Sequence, residues 1–181
     1  MRLSLFLLVA LLLNACATRV TSLKPNEVKQ LEQDKGFILL GVETNRDLKL
    51  IKISGPQSIK LSSKDIKEGT NYLLVDLEAG TYTIDRVKLD DIFYMKFEEE
   101  ENWEFEILPG QISYVGHFEM SRRDSAYFWR VYADAELENR SSEALEFLEE
   151  KYPELLKVHK VKYAGPGQDR FFEFLNSVNK E

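Results

Sequence analysis

Residues 37–133 alternate in polarity over short stretches and break at turn residues, and that pattern confines the chain to a mainly β fold. The clearest stretch is 111–120. Ile112, Tyr114, Gly116, Phe118 and Met120 share one parity, and Gln111, Ser113, Val115, His117 and Glu119 share the other. Successive side chains of a strand point to opposite faces. The pattern therefore predicts a strand with Tyr114 and Phe118 in a core and His117 turned away from it. Further strands are expected at 37–42, 48–53, 58–61, 72–77 and 81–84, where Tyr82 and Ile84 share a face. Val87 and Leu89 fall on the opposite parity, which predicts a bulge or bend near Arg86. Phe93, Met95 and Phe97 form one more alternating set, and Trp103, Phe105 and Ile107 another, closed by the Pro109-Gly110 turn. The aromatic-rich stretch 126–133 reads as the last strand.

Eight or nine short strands with no helices between them predict an antiparallel β-sandwich or barrel. Parallel order would need crossover helices, for which the gaps are too short. From residue 139 the period becomes helical. Ser141 is placed to cap a helix with Ala144, Leu145 and Leu148 on its apolar side, stopped at Tyr152-Pro153. After Gly165-Pro166-Gly167, Phe171, Phe174, Leu175 and Val178 follow the i, i+3, i+4, i+7 rule, which predicts a helix buried along that stripe. The expected fold is thus a β-sandwich with C-terminal α-helices packed on it.

The N-terminus carries an address. Arg2 precedes an apolar run, residues 3–13, broken only by Ser4. A bilayer span needs about 20 apolar residues, so this run fits a signal peptide and is left out of the fold. It ends in Leu13-Asn14-Ala15-Cys16, which holds the only cysteine of the chain. This tetrapeptide resembles the lipobox of bacterial lipoproteins. The resemblance implies cleavage before Cys16, a diacylglyceryl group on its sulfur and a further acyl chain on its amine, which together suffice for stable anchoring. Ala17, where an Asp would imply inner-membrane retention, implies sorting to the outer membrane, facing the periplasm, in a Gram-negative host. The expected organisation is a signal peptide at 1–15, a lipidated N-terminus and tether at 16–36, a β-sandwich at 37–134 and a helical segment at 135–181. A short helix after Asn26 is an alternative within the tether.

Charge narrows the partners. The chain has 24 Lys plus Arg against 31 Asp plus Glu. Losing Arg2 with the signal leaves 23 against 31, a net −8. An acidic surface argues against nucleic acid and against electrostatic docking on anionic lipid. With Cys16 acylated no disulfide can form, so the fold must rest on its core. The 11 Phe, 8 Tyr and 2 Trp supply material for one.

Gly80-Thr81-Tyr82-Thr83-Ile84, then Phe105-Glu106-Ile107 and Pro109-Gly110-Gln111-Ile112-Ser113-Tyr114-Val115-Gly116, form a recurrent combination. It resembles a group of uncharacterised bacterial lipoproteins with a transthyretin-like or immunoglobulin-like β-sandwich. The resemblance covers roughly residues 37–120. It implies a fold and an envelope location but no activity, because fold does not fix function.

Chemistry is sparse. A hydrolase would use Ser113 as nucleophile and His117 as base, but the strand offers no nucleophile elbow, and a polar outer face is the favoured reading. Glu98 to Glu101 lack the alternation and Gly of a calcium loop. His159 has no partner at ligand spacing, so no metal and no cofactor are expected. Among Tyr127, Phe128, Trp129 and Tyr132, one face should be core. The other, with Phe128 and Tyr132, is the candidate partner contact unless helices cover it. The sequence favours a non-enzymatic binding or assembly module contacting an envelope protein. A periplasmic binder of a glycan or peptide comes second and an envelope hydrolase third.

Overall fold

The computed structural model of the chain describes residues 17–27, 29–97, 101–125 and 130–178. The strands in chain order are β1 (Thr18–Arg19), β2 (Lys35–Thr44), β3 (Leu50–Ser54), β4 (Ile59–Ser62), β5 (Gly69–Glu78) and β6 (Gly80–Lys88). They continue as β7 (Tyr94–Lys96), β8 (Glu104–Ile107), β9 (Ile112–Asp124), β10 (Val131–Glu138) and β11 (Val161–Tyr163). The α-helices are α1 (Ser141–Lys151), α2 (Pro153–Val158) and α3 (Phe171–Val178). Two sheets result. The first runs β1-β4-β3-β6-β7, with β8 also paired to β6. The second runs β10-β9-β2-β5, with β11 also paired to β9.

The chain is mainly β, but its sheets are mixed rather than antiparallel. β1 with β4, β2 with β9 and β11 with β9 all run parallel. The expectation of purely antiparallel order rested on the missing crossover helices. The crossover from β2 to β9 is made instead by strands, since β3 to β8 lie between them in sequence.

The second sheet is apolar on both faces. Its inner face shares one core with the first sheet, in which Leu40, Val42, Val75 and Phe118 meet Ile51, Ile53, Tyr82 and Ile84. Its outer face carries a separate core of Phe37, Leu39, Leu74 and Tyr114 beneath Ala144, Leu148, Tyr152 and Phe172 of the helical segment. This explains the unbroken run Phe37–Val42, since strands covered on both sides lose polar alternation. The bulge expected near Arg86 is present, because β3 and β6 shift register between Lys52–Arg86 and Ile53–Ile84.

A second bulge lies in β9 and breaks the predicted parity. Leu39 pairs with Tyr114 and Gly41 with His117, so β9 carries one extra residue there. Gly116 absorbs it at φ +117°, a region that disfavours side chains. Tyr114 and Phe118 therefore face opposite cores, and His117 is fully buried on the Tyr114 side. The expected common face for Tyr114 and Phe118, with His117 exposed opposite, is corrected accordingly.

Further expectations change. Residues assigned to a tether lie on the domain: the Thr18 amide donates to the Ser58 carbonyl (2.8 Å), and buried Leu23 donates to the Leu74 carbonyl (2.8 Å). The described residues between Asn26 and Gly36 form no helix. In α3 it is Phe172 that is buried, while Phe171, Phe174 and Val178 of the predicted stripe stay exposed. The helical segment also contributes a strand, β11, beside β9.

Candidate functional site

The outer face of the second sheet gathers the chain's polar features. β2 and β10 flank the C-terminal half of β9, and their pairing sets Glu43, Glu119 and Glu136 side by side across three strands. Like charges directly opposite one another destabilise a sheet. Arg140, at the entrance to α1, offsets this. Its guanidinium reaches Glu43 at 2.8 Å and Glu138 at 3.2 Å, and also contacts Glu119. Its backbone N–H donates to the Tyr114 hydroxyl at 3.0 Å, which ties the cluster to the outer core. The Asn139 side chain, rather than Ser141, accepts the first exposed amide of α1, that of Ser141, at 3.0 Å.

Beyond Arg140 the helices stop covering the sheet. The strand backbones there floor a cleft of about 330 Å³ whose walls include Glu43, Asn45, Glu119, Ser121, Asp134 and Glu136. Tyr132, one of the two candidate contacts, projects from the same face of β10 and is 55 % exposed. Phe128, the other, lies outside the described residues, as do Cys16 and the neighbours Tyr127 and Trp129.

His117 sits one row below this cleft, under the start of α1. Its ring packs directly on Gly41, where a Cβ would come within 2.2 Å of Nδ1. Tyr72 meets it edge-on at 5.3 Å and is itself stacked on Phe147 at 4.3 Å. Among the described residues, neither imidazole nitrogen has a hydrogen-bond partner. Burial and then the Arg140 charge push the His117 pKa down, against smaller opposing effects of Glu143 and Glu43. Burial, reinforced by Glu143, pushes the Tyr72 phenol up to about 12. Ser113 faces the other core and accepts a hydrogen bond from the Leu108 amide at 2.9 Å. Ser113 and His117 thus stand on opposite faces of the sheet and cannot form the nucleophile–base pair considered for a hydrolase. The bulge at Gly116 is the feature the sequence reading missed.

The His117 environment gives a pH prediction. Its folded-state pKa is depressed, so the unfolded chain takes up a proton more readily. Stability from this residue is full above the unfolded pKa of about 6.5 and falls as pH drops below it toward the folded value. The thermal midpoint should fall between pH 7.5 and 5.5, and His117→Phe should flatten that slope. An unchanged slope in the variant would assign the acid sensitivity to other groups.

A second concavity lies between the helices. It measures about 430 Å³, and Leu145, Leu156, Phe172 and Leu175 line it beside Lys157 and Lys160. Among the described residues no group of three or more His, Cys, Asp or Glu side chains is placed to hold a metal ion. No described helix is long and apolar enough to cross a membrane. Compared with known proteins, the chain matches no family model, no curated protein and no solved structure.

Proposed function

We propose that this chain is a lipid-anchored lipoprotein of the bacterial cell envelope whose β domain is a non-enzymatic binding or assembly module. The observation that carries the reading is the signal-like run ending in Leu13-Asn14-Ala15-Cys16, with the only cysteine of the chain at the modification position. Ala17 directs it to the periplasmic face of the outer membrane. The resemblance to lipoproteins with an immunoglobulin-like or transthyretin-like sandwich belongs to the same proposal, and two sheets facing each other across one core are compatible with it. The open outer face at Tyr132 is the contact surface for an envelope protein. The loss of the Ser113–His117 pairing removes the one dyad on which a hydrolase reading rested.

The test is Cys16→Ser expressed in its own envelope or a Gram-negative host. The variant should leave the membrane fraction or accumulate unprocessed, and should lose incorporation of labelled fatty acid. Normal fractionation and labelling of the variant would refute lipid anchoring. The groove between the helices favours a second reading, in which the domain holds a periplasmic glycan or peptide. Its lining combines Leu145, Leu156, Phe172 and Leu175 with Glu149, Lys157 and Lys160, which suits a peptide with both apolar and charged side chains. In that case Leu156→Lys should abolish binding while leaving membrane fractionation unchanged.

A further inference from the structure

We infer that the free edge of β10 takes up an extended segment of a partner by strand addition, and that this segment alternates basic with apolar residues. The inference rests on the binding-module reading and names its partner class. The geometry starts from the sheet edges. The β5 edge of the second sheet is partly covered, because the Leu23 amide donates to the Leu74 carbonyl and the Leu74 amide donates to the Ser22 hydroxyl. β10 pairs with β9 over all eight of its residues and, among the described residues, with nothing on its other side. Such an edge is a row of unsatisfied backbone donors and acceptors, ready for another strand.

The side chains of β10 specify what that strand carries. Val131, Ala133, Ala135 and Leu137 pack on the inter-sheet core but are only half-buried. An added strand would complete their cover with apolar residues at every second position. The alternate residues Tyr132, Asp134 and Glu136 lie on the outer face and are exposed. There the strip holds five carboxylates, Glu43, Glu119, Asp134, Glu136 and Glu138, against two guanidiniums, Arg140 and Arg123. Arg140 contacts Glu43, Glu119 and Glu138 but not Glu136. Among the described residues, Asp134 is paired only with exposed Arg123, at 3.5 Å. Cross-strand neighbours on one face lie about 4.5–5.5 Å apart, so a Lys or Arg on the added strand would stand beside Asp134 or Glu136. Tyr132 supplies an aromatic face for a further cation. A second copy of this chain is a poor occupant, because a two-fold pairing of β10 centred on Asp134 would set that carboxylate against itself.

Edge charges also serve in many proteins only to repel other strands, and the experiment separates the two roles. The probe is a fluorescent heptapeptide of alternating lysine and valine, titrated against the lipid-free domain, residues 17–181, at low and at physiological salt. Binding is expected, weakening with salt and protecting the amides of 131–138 from hydrogen exchange. The exposed pair of substitutions Asp134→Asn and Glu136→Gln should lower affinity about tenfold or more without lowering the melting temperature. A probe N-methylated at every backbone amide keeps its charge but cannot donate to β10 from either edge, and it should not bind. Equal binding by the N-methylated probe would overturn strand addition. No binding of either probe would mean that the carboxylates only guard the edge, and would overturn the inference. Neither result touches lipid anchoring, which the Cys16→Ser fractionation decides separately.

Discussion

Gly116→Val is expected to destabilise the domain by about 2–5 kcal/mol, the summed cost of a branched side chain at positive φ and of overpacking. The residue is the extra one in β9, where the pairing passes from Leu39–Tyr114 to Gly41–His117. Its backbone φ is +117°, and a Cβ there would lie 3.0 Å from Leu137 Cδ1. A bulky side chain must hold that strained backbone or give up the bulge. Without the bulge the strand alternates through position 116, and a one-residue slip sends every later side chain to the opposite face. His117 and Glu119 would then turn into the inter-sheet core while Phe118 and Met120 left it. A carboxylate without a partner in a core costs more than the strain does, so the strained bulge is the cheaper outcome. Deletion of Gly116 is the converse test. It removes the extra residue and leaves Tyr114 and His117 on the outer face and Val115 and Phe118 on the inner one. The deletion should therefore keep a cooperative urea melt. Gly116→Ala isolates the conformational cost, and a milder loss of about 1–3 kcal/mol is expected. A wild-type midpoint for Gly116→Val would show that the bulge does not depend on glycine.

That bulge also marks the limit of what the sequence discloses. Near Arg86 a bulge could be read from the residues, because polar Asp85 and Arg86 separate Ile84 from Val87 and the change of parity is visible. Near Gly116 nothing changes visibly. The residues alternate without a break, with Tyr114 and Phe118 on one parity and Ser113, His117 and Glu119 on the other, so the extra glycine leaves no trace. His117 adds to the ambiguity, since an imidazole is as much at home on a surface as under a helix. Strand positions were legible because they depend on neighbours in the chain. The parallel pairing of β2 with β9 was not, because it joins residues more than 70 positions apart.

The same asymmetry governs the site. Tyr132 was recognisable as a partner candidate because an aromatic strand with no polar face needs two covers. The row of Glu43, Glu119 and Glu136 was not recognisable, because it exists only once three strands are in register. In α3, apolar residues at 171, 172, 174, 175 and 178 offer two overlapping stripes. Periodicity alone favoured the one through Phe174, whereas the cavity beside Tyr114 accepts Phe172, whose ring centre stands 6.2 Å from that of Tyr114.

Tyr114→Ala is expected to cost about 3–5 kcal/mol, as truncations of large buried aromatics do. Tyr114 is fully buried and lies where three layers of the outer core converge. Its ring meets Tyr163 of β11 at 5.9 Å and Phe172 of α3 at 6.2 Å, and its hydroxyl accepts the Arg140 amide that opens α1. One side chain thus holds β9, β11, α1 and α3 together. Tyr114→Phe separates the two contributions. It keeps the packing and removes only the acceptor, leaving the Arg140 amide without its partner at a cost of about 1–3 kcal/mol. Urea unfolding of both variants measures the difference. The expected order is wild type, then Tyr114→Phe, then Tyr114→Ala. A loss below about 1 kcal/mol for the alanine variant would mean that the helical layer is not sealed on the sheet through Tyr114. Binding at β10 supplies the independent readout. Arg140 is positioned through Tyr114, and it holds Glu43 and Glu119 in place beside the cleft. Because Arg140 offsets these carboxylates and does not contact Glu136, the phenylalanine variant should bind the basic probe at least as tightly as the wild type at unchanged fold.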